Sequence, residues 1–530
     1  MSGMIGRECF IRSGINNSLQ NVGENPHFRR WITITPLTPG YGEIRESRLP
    51  NDLIQQAMKL SKIENSFNFI LFGASGDLAQ LKLFPALYHL ALQKRFPKSY
   101  AIIGYARSEF SEEEFRAHVE KSIRKHVEKN LLDETILSRF LRRIHYHQGA
   151  YDNEKDYGGL SQKLMSCHKG QLVYNLAFLA TPSTTFQTIA KGLNHIRQNL
   201  GCEVELMLEK PFGHDRKSAG ELFQAIMNHF DKKHLFLIDH YLGKDPVKSI
   251  FPLRYNNEIL NLMLHGQAIS NIQISALETL GTEDRAGYFD RVGIIKDMIQ
   301  SHLLQVLALF TMSMPLRREV KSVRREKGDV LSALSYPKSQ CGVVIGQYES
   351  YAKEEGVKKN SNTPTFAAVR CFIDLTQWYK VPIYIRSGKK LSHKHTYVVV
   401  EFTKPPYAPN DLQPNRLIIE LHPEEKIQIQ LINEIGERIV QSYAQNSLAC
   451  TGDECLPDYA GLILDAFTRR YESFLSIDEI LASWYFVDSL YSCVDEQNIA
   501  LATYKDGSNG PQSQHDLTKM DGFEWYDMDS

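Results

Sequence analysis

At 530 residues the chain is too long for one ordinary hydrophobic core, so two domains plus an extension are expected. Its hydrophobic share of 42% and charged share of 23% are those of a globular protein, and 61 Lys and Arg against 62 Asp and Glu leave a formal net charge of −1. That balance removes any general electrostatic case for nucleic acid or an anionic membrane as partner, while leaving room for a local basic pocket that takes a phosphorylated small molecule.

No apolar run reads as long enough to cross a bilayer. The start, MSGMIGRECFIRSGINNS, lacks the apolar region of a signal peptide, and Arg7 and Arg12 make only a weak organelle-targeting pattern. The cysteines are scattered. Cys450 and Cys455 come nearest to a pair but have no matching second pair, so no metal site is expected, and a reducing, cytoplasmic setting is.

Residues 1–66 read as a poorly ordered N-terminal extension, with Pro and Gly recurring in WITITPLTPGYGEIRESRLPND and no sustained period. From Phe67 the pattern becomes strand, tight turn, helix. A second strand follows at Tyr100–Gly104, then a helix start at Ser111 with Glu112, Glu113 and Glu114 in its first turn. Val173–Ala180 and Val204–Leu208 are near-continuous apolar runs, as parallel strands covered on both faces are. Alternating strands and helices predict an α/β, Rossmann-like dinucleotide-binding domain over residues 67–237. The texture then changes. Asn271–Leu277, Gly342–Tyr348, Tyr397–Thr403, Arg416–Leu421 and Lys426–Ile432 read as strands of a mostly antiparallel sheet, giving a larger α+β domain over residues 238–530 for substrate binding and oligomerisation. The polar stretch DGSNGPQSQHD near the end reads as a mobile tail.

Four clusters carry chemistry. In FNFILFGASGDLAQLKLF, Gly73 ends a strand, Gly76 lets a pyrophosphate approach, and Ala79 packs the following helix on the sheet. The spacing G-x-x-G-x-x-A also fits an ordinary strand–helix turn. At the end of the second strand, Gly104-Tyr105-Ala106-Arg107-Ser108 has no acid for a ribose 2′-hydroxyl. Arg107 suits a 2′-phosphate and so favours NADP, unless it is merely solvated. Lys210, in Glu209-Lys210-Pro211-Phe212-Gly213, stands at a strand end where open α/β domains bind ligands, and so do many solvated lysines. Asp239-His240-Tyr241-Leu242-Gly243-Lys244 packs a carboxylate, an imidazole, a phenol and an ammonium into one short stretch. If it is extended, Asp239 and Tyr241 share a face, and a turn at Gly243 gathers His240, Tyr241 and Lys244 about one phosphate. Beyond Gly287-Tyr288-Phe289-Asp290, GIIKDMIQSHLLQVLAL is apolar around most of a helix, yet carries Asp297 and an inward His302. A lone inward histidine is more often a satisfied core residue, but one oriented by a carboxylate is what a general base requires.

GASGDLA with Lys82, GYARS, EKPFG, IDHYLGK, GYFD followed by SHLLQ, and Arg386-Ser387-Gly388-Lys389 occur in an order and spacing that resemble the glucose-6-phosphate dehydrogenase family from Phe67 to about Phe486. The resemblance implies an oxidoreductase that takes hydride from C1 of glucose 6-phosphate to NADP. It implies that His302 is the base, Asp239 its orienting carboxylate, and Lys210 a catalytic group that reaches both substrate and cofactor. His240, Tyr241 and Lys244 would hold the sugar phosphate; Glu278, Asp297 and Lys389 the rest of the substrate; Gly73, Ser75, Gly76, Asp77 and Arg107 the cofactor. A homodimer or homotetramer is the family's usual assembly. Leu237 departs from the pattern, replacing an arginine usual two residues before the aspartate. The competing readings are a silent homologue with a regulatory role and a related NAD(P)-dependent sugar oxidoreductase.

Overall fold

The computed structural model of the chain describes residues 62–527, apart from 240, 318, 338–339, 410, 425 and 445–455. The extension through residue 61, His240, and the pair Cys450 and Cys455 therefore lie outside the described residues. Residues 62–66, read from the sequence as the end of the extension, lead into the first strand: Ile63 is buried, and its N–H donates to the Arg95 carbonyl at 2.9 Å.

The first sheet is built from β1 (Phe67–Phe72), β2 (Tyr100–Ala106), β3 (Ile144–Gln148), β4 (Tyr174–Leu179), β5 (Val204–Glu209) and β6 (Leu235–Ile238). All neighbours are parallel, in the order β3-β2-β1-β4-β5-β6. Every residue of β1 is buried, because helices cover both faces. The order reverses between β1 and β4, and the crevice beyond the strand ends at such a reversal is where open α/β sheets bind ligands. The helix Glu112–His126 opens with the expected cap: Ser111 accepts from the Glu114 N–H while Glu114 accepts from the Ser111 N–H.

The second sheet takes β7 (Ile269–Leu277), β8 (Leu334–Ser335), β9 (Val343–Tyr348), β10 (Phe366–Ile373), β11 (Ile383–Gly388), β12 (His395–Phe402), β13 (Arg416–His422), β14 (Lys426–Ile432), β15 (Arg438–Ala444) and β16 (Leu501–Tyr504). Its order is β15-β14-β13-β12-β7-β11-β10-β9-β16, with β8 paired to β10. Among the described strand pairs of this sheet, only β7–β11 and β9–β16 are parallel. The helical run Ala286–Thr311 lies against β7 and β11. Contrary to the sequence reading, it is long and apolar enough to cross a bilayer, but 78% of its most apolar window is buried inside the fold.

Two late segments bind the fold together. The helix Asp458–Phe467 returns to the first sheet, where Phe467 meets Phe67 with ring centroids 4.1 Å apart, in one core with Phe69, Leu71 and Ile463. The tail expected to be mobile is packed instead. Arg386 on β11 donates to Gln514 Oε1 at 2.9 Å and to the Tyr526 carbonyl at 3.3 Å, and lies 4.3 Å from the Trp525 ring. A guanidinium buried in a sheet needs acceptors, and the tail supplies them.

Candidate active site

The reactive cluster forms where β5, β6 and the helix Ala286–Thr311 meet. Gly293, at φ +68°, breaks that helix, and its turns then widen over Ile295–Leu303. In a regular α-helix, at about 100° per residue, Asp297 and His302 would stand roughly 140° apart. The wider turns bring them toward one side. His302 is 2% exposed and Asp239, just past β6, is 1% exposed. Their Nδ1 and Oδ1 atoms lie 2.6 Å apart. Asp239 Oδ1 also accepts the Tyr241 N–H at 2.8 Å, so the segment after β6 is a turn, not the extended stretch considered from the sequence.

Lys210 directly follows β5 and is joined to Pro211 by a cis peptide, and its ammonium donates to His302 Nε2. With Nδ1–H directed at Asp239, Nε2 presents its lone pair, so the array reads carboxylate, imidazole, ammonium. Burial holds the His302 imidazole below its ordinary value of 6.5, opposed by the Asp239 charge. Burial likewise lowers the Lys210 ammonium, opposed by Asp239, Asp297 and Glu209. The imidazole is thus neutral at neutral pH and has a carboxylate beside it that can stabilise its cation, as a general base requires.

The Tyr241 ring stacks on His302 at 4.6 Å, and the Lys244 ammonium lies 3.8 Å over the other partner in that stack, the Tyr241 ring. Burial lowers the Lys244 ammonium and pushes the Tyr241 phenol up to about 12. Glu278 and Lys389 form a 2.5 Å ion pair. They line a cavity of about 220 Å³ together with Asp297, Arg285, Phe289 and Lys394. Asp297 and Tyr288 are shared with a second cavity, of about 330 Å³, which reaches Lys210, Asp239 and Trp484. Lys210, Asp239, Tyr241, Lys244 and His302 are therefore one cluster, with Glu278, Asp297 and Lys389 beside it.

The remaining sequence-predicted residues stand apart, at the ends of β1 and β2. Gly73 has φ +76°, and a Cβ there would lie 2.4 Å from the Ala180 carbonyl beyond β4, so only glycine fits. A Cβ on Gly76 would meet only the Gly73 carbonyl, at 3.2 Å. The space before the helix start is open, as a dinucleotide's pyrophosphate requires. Ala79 is fully buried, which seats that helix on the sheet. Ser75 Oγ lies 3.0 Å from Ser108 Oγ, tying the turn to the end of β2. Asp77 and Arg107 are exposed, and the Arg107 guanidinium lies 6.0 Å from the Tyr151 ring centroid.

Sequence reasoning missed Glu209 and Tyr459. Tyr459 donates to Glu209 Oε1 at 2.6 Å, and burial pushes that carboxyl up to about 7. Glu209 adjoins Lys210 in the chain and was within reach of a local reading. Tyr459 is 250 positions away, and nothing local points to it.

The family model described as "Glucose-6-phosphate dehydrogenase, NAD binding domain" matches residues 70–249, and "Glucose-6-phosphate dehydrogenase, C-terminal domain" matches residues 251–526. The chain is similar to the chloroplastic glucose-6-phosphate 1-dehydrogenase of Spinacia oleracea, 33% identical with 88% of this chain and 85% of the relative covered. It is similar to the glucose-6-phosphate 1-dehydrogenase of Bacillus subtilis, 34% identical with 87% and 98% covered. Among solved structures, glucose-6-phosphate dehydrogenase in complex with glucose-6-phosphate superimposes with a TM-score of 0.80 at 31% identity, over 88% of this chain and 99% of that one.

Proposed function

This chain belongs to the glucose-6-phosphate dehydrogenase family, and from that premise we propose that it oxidises D-glucose 6-phosphate at C1 to 6-phospho-D-glucono-1,5-lactone, with NADP⁺ as hydride acceptor. The reaction is the first oxidative step of the pentose phosphate pathway. The observation that carries the reading is the buried array Asp239–His302–Lys210 beside Tyr241 and Lys244.

Two particles must leave adjacent atoms: a hydride from C1 and a proton from its hydroxyl. The bound nicotinamide supplies the hydride acceptor. His302 Nε2 takes the proton, which requires Lys210 to leave Nε2 and donate to the C1 oxygen instead. Asp239 fixes the tautomer and stabilises the imidazolium. Lys244 and Tyr241, with His240, hold the 6-phosphate, since a dianion at this distance from C1 needs its own cation. Glu278, Asp297 and Lys389 take the remaining sugar hydroxyls. Gly73, Ser75, Gly76 and Asp77 cradle the pyrophosphate. Arg107 meets the 2′-phosphate, and the lack of an acid at the end of β2 favours NADP over NAD. We place the enzyme in the cytoplasm as a homodimer or homotetramer joined through the second sheet. Exposed Leu431, Ile439 and Val440 on β14 and β15 support that contact.

The test is absorbance of the reduced nicotinamide with NADP⁺ and glucose 6-phosphate. A rate that needs the sugar phosphate and collapses in His302→Asn is expected. A folded protein that binds NADP⁺ but yields no rate overturns the proposal.

A further inference from the structure

The first sheet has a second concavity at the end opposite the Gly-rich turn. It measures about 750 Å³, within the roughly 300–1,000 Å³ range of small-molecule sites. Lys62, Lys94, Lys98, Arg139, Arg142 and Arg143 line it, and among the described residues no acidic side chain does. The chain as a whole carries 61 bases against 62 acids, so this is a sharp local asymmetry. Other bases of the same sheet's helices have carboxylate partners: Arg116 pairs with Glu112, Arg124 with Glu134, and Lys163 with Glu112. Among the described residues, none of the six around the cavity is in an ion pair.

A blander origin is helix capping. The helices Phe84–Leu92 and Glu134–Leu141 both end at this cavity, and helix C-termini attract cations. Two C-termini, however, amount to about one negative charge in total, at roughly half a charge each. That leaves most of the six uncompensated. The local backbone points the same way. Lys94 sits at φ +56°, just past the first of those helices, where glycine is the favoured residue.

The floor is aromatic. Phe96 and Tyr100 have ring centroids 4.7 Å apart. Arg143 is already held over Tyr100, 5.6 Å from the ring, by donating to the Lys98 carbonyl at 2.9 Å. Clustered cations beside two aromatic rings, tilted 48° to each other, suit an anion with several charges and a planar ring. We infer that this cavity binds a nucleoside di- or triphosphate, its phosphates among Lys94, Arg139 and Arg142 and its base against Tyr100. Tyr100 and Arg107 are at opposite ends of β2, about 23 Å apart at roughly 3.3 Å per residue. The site can therefore be filled while the cofactor turn is occupied.

Calorimetric titration of the full chain with ATP, in saturating NADP⁺ to block the cofactor turn, tests this. A further saturable site is expected, weakened about a hundredfold or more in Arg139→Ala/Arg142→Ala, each arginine–phosphate contact being worth about 1.5 kcal/mol or more, or about tenfold. The dehydrogenase rate of that variant is expected to match the parent, which also shows that it folds. Inorganic tripolyphosphate is expected to bind more weakly than ATP. Absence of binding in NADP⁺, or binding that survives the double substitution, overturns the site. Equal affinity for tripolyphosphate overturns the contact with the ring. None of these outcomes bears on the dehydrogenase reading.

Discussion

At the scale of single residues, the proposed chemistry depends on a histidine kept neutral by burial with a carboxylate beside it. His302→Asn is expected to lower kcat by about 10²–10⁴-fold, the usual worth of a positioned base, with little change in cofactor affinity. Asp239→Asn leaves His302 and a neutral acceptor for Nδ1–H in place but removes the charge that stabilises the imidazolium, and kcat is expected to fall by about 10²-fold or more. The pH profile separates the two. Burial depresses the His302 pKa in the folded protein, so kcat/KM is full above 6.5 and falls only as pH drops through the lower folded value. The Asp239 charge raises that folded value, so in Asp239→Asn the acid limb moves to still lower pH. A limb that moves upward would contradict the dyad. Lys244→Ala is expected to raise KM for glucose 6-phosphate by about 10- to 100-fold, the worth of one charged hydrogen bond, with KM for NADP⁺ unaffected. Leu237 is buried in an apolar core, its carbonyl accepting the Leu475 N–H at 2.9 Å. An apolar side chain suits the packing at that position.

At the scale of elements, the strand–turn–helix unit at Gly73 and the helix at Gly293 each depend on one positive φ. In Gly73→Ala the new methyl would press on the Ala180 carbonyl in a conformation that alanine resists. A stability loss of at least about 1 kcal/mol is expected in a denaturant titration, together with a raised KM for NADP⁺. The helices Val320–Ser332 and Ile477–Glu496 are joined by the Lys327–Glu479 pair, 2.7 Å apart, with side chains 1% and 0% exposed. Lys327→Met is expected to cost about 3–5 kcal/mol by stranding Glu479, and a second change, Glu479→Leu, to recover most of it. Legibility in the sequence followed contact range. Four of the parallel strands, β1, β2, β4 and β5, were legible because burial on both faces makes them almost uniformly apolar, whereas the edge strand β3, with the sequence IHYHQ and several residues only partly buried or exposed, and the short β6 were not. His302 was legible as inward from helical spacing, but its carboxylate lies 63 positions earlier, and only the resemblance paired the two. The turn after β6 was not legible, because the Asp239 bond to the Tyr241 N–H decides it over an extended run. Tyr459 and the packed tail were beyond any local pattern.

At the scale of the whole molecule, the outer strands of the second sheet present Leu431, Ile439 and Val440 to solvent in the single chain. Light scattering is expected to give at least twice the chain mass of 60.7 kDa, and Val440→Lys to lower it if those strands form the contact.

The return of Asp458–Phe467 to the first sheet also sets the order in which the protein can be made. Phe67 and Phe69 leave the ribosome early, yet their partner Phe467 is translated some four hundred codons later. Throughout that interval Phe67 and Phe69 have Phe96, Tyr100 and Phe178 as partners but lack the last part of their cover, which leaves an apolar patch open to holdase chaperones and aggregation. A premature stop codon anywhere before this helix would leave that patch permanently bare, even with every base, acid and glycine of the nucleotide half intact. Such truncated products are expected to be cleared by proteolysis and not to accumulate as free dinucleotide binders, and pulse-chase labelling would show it.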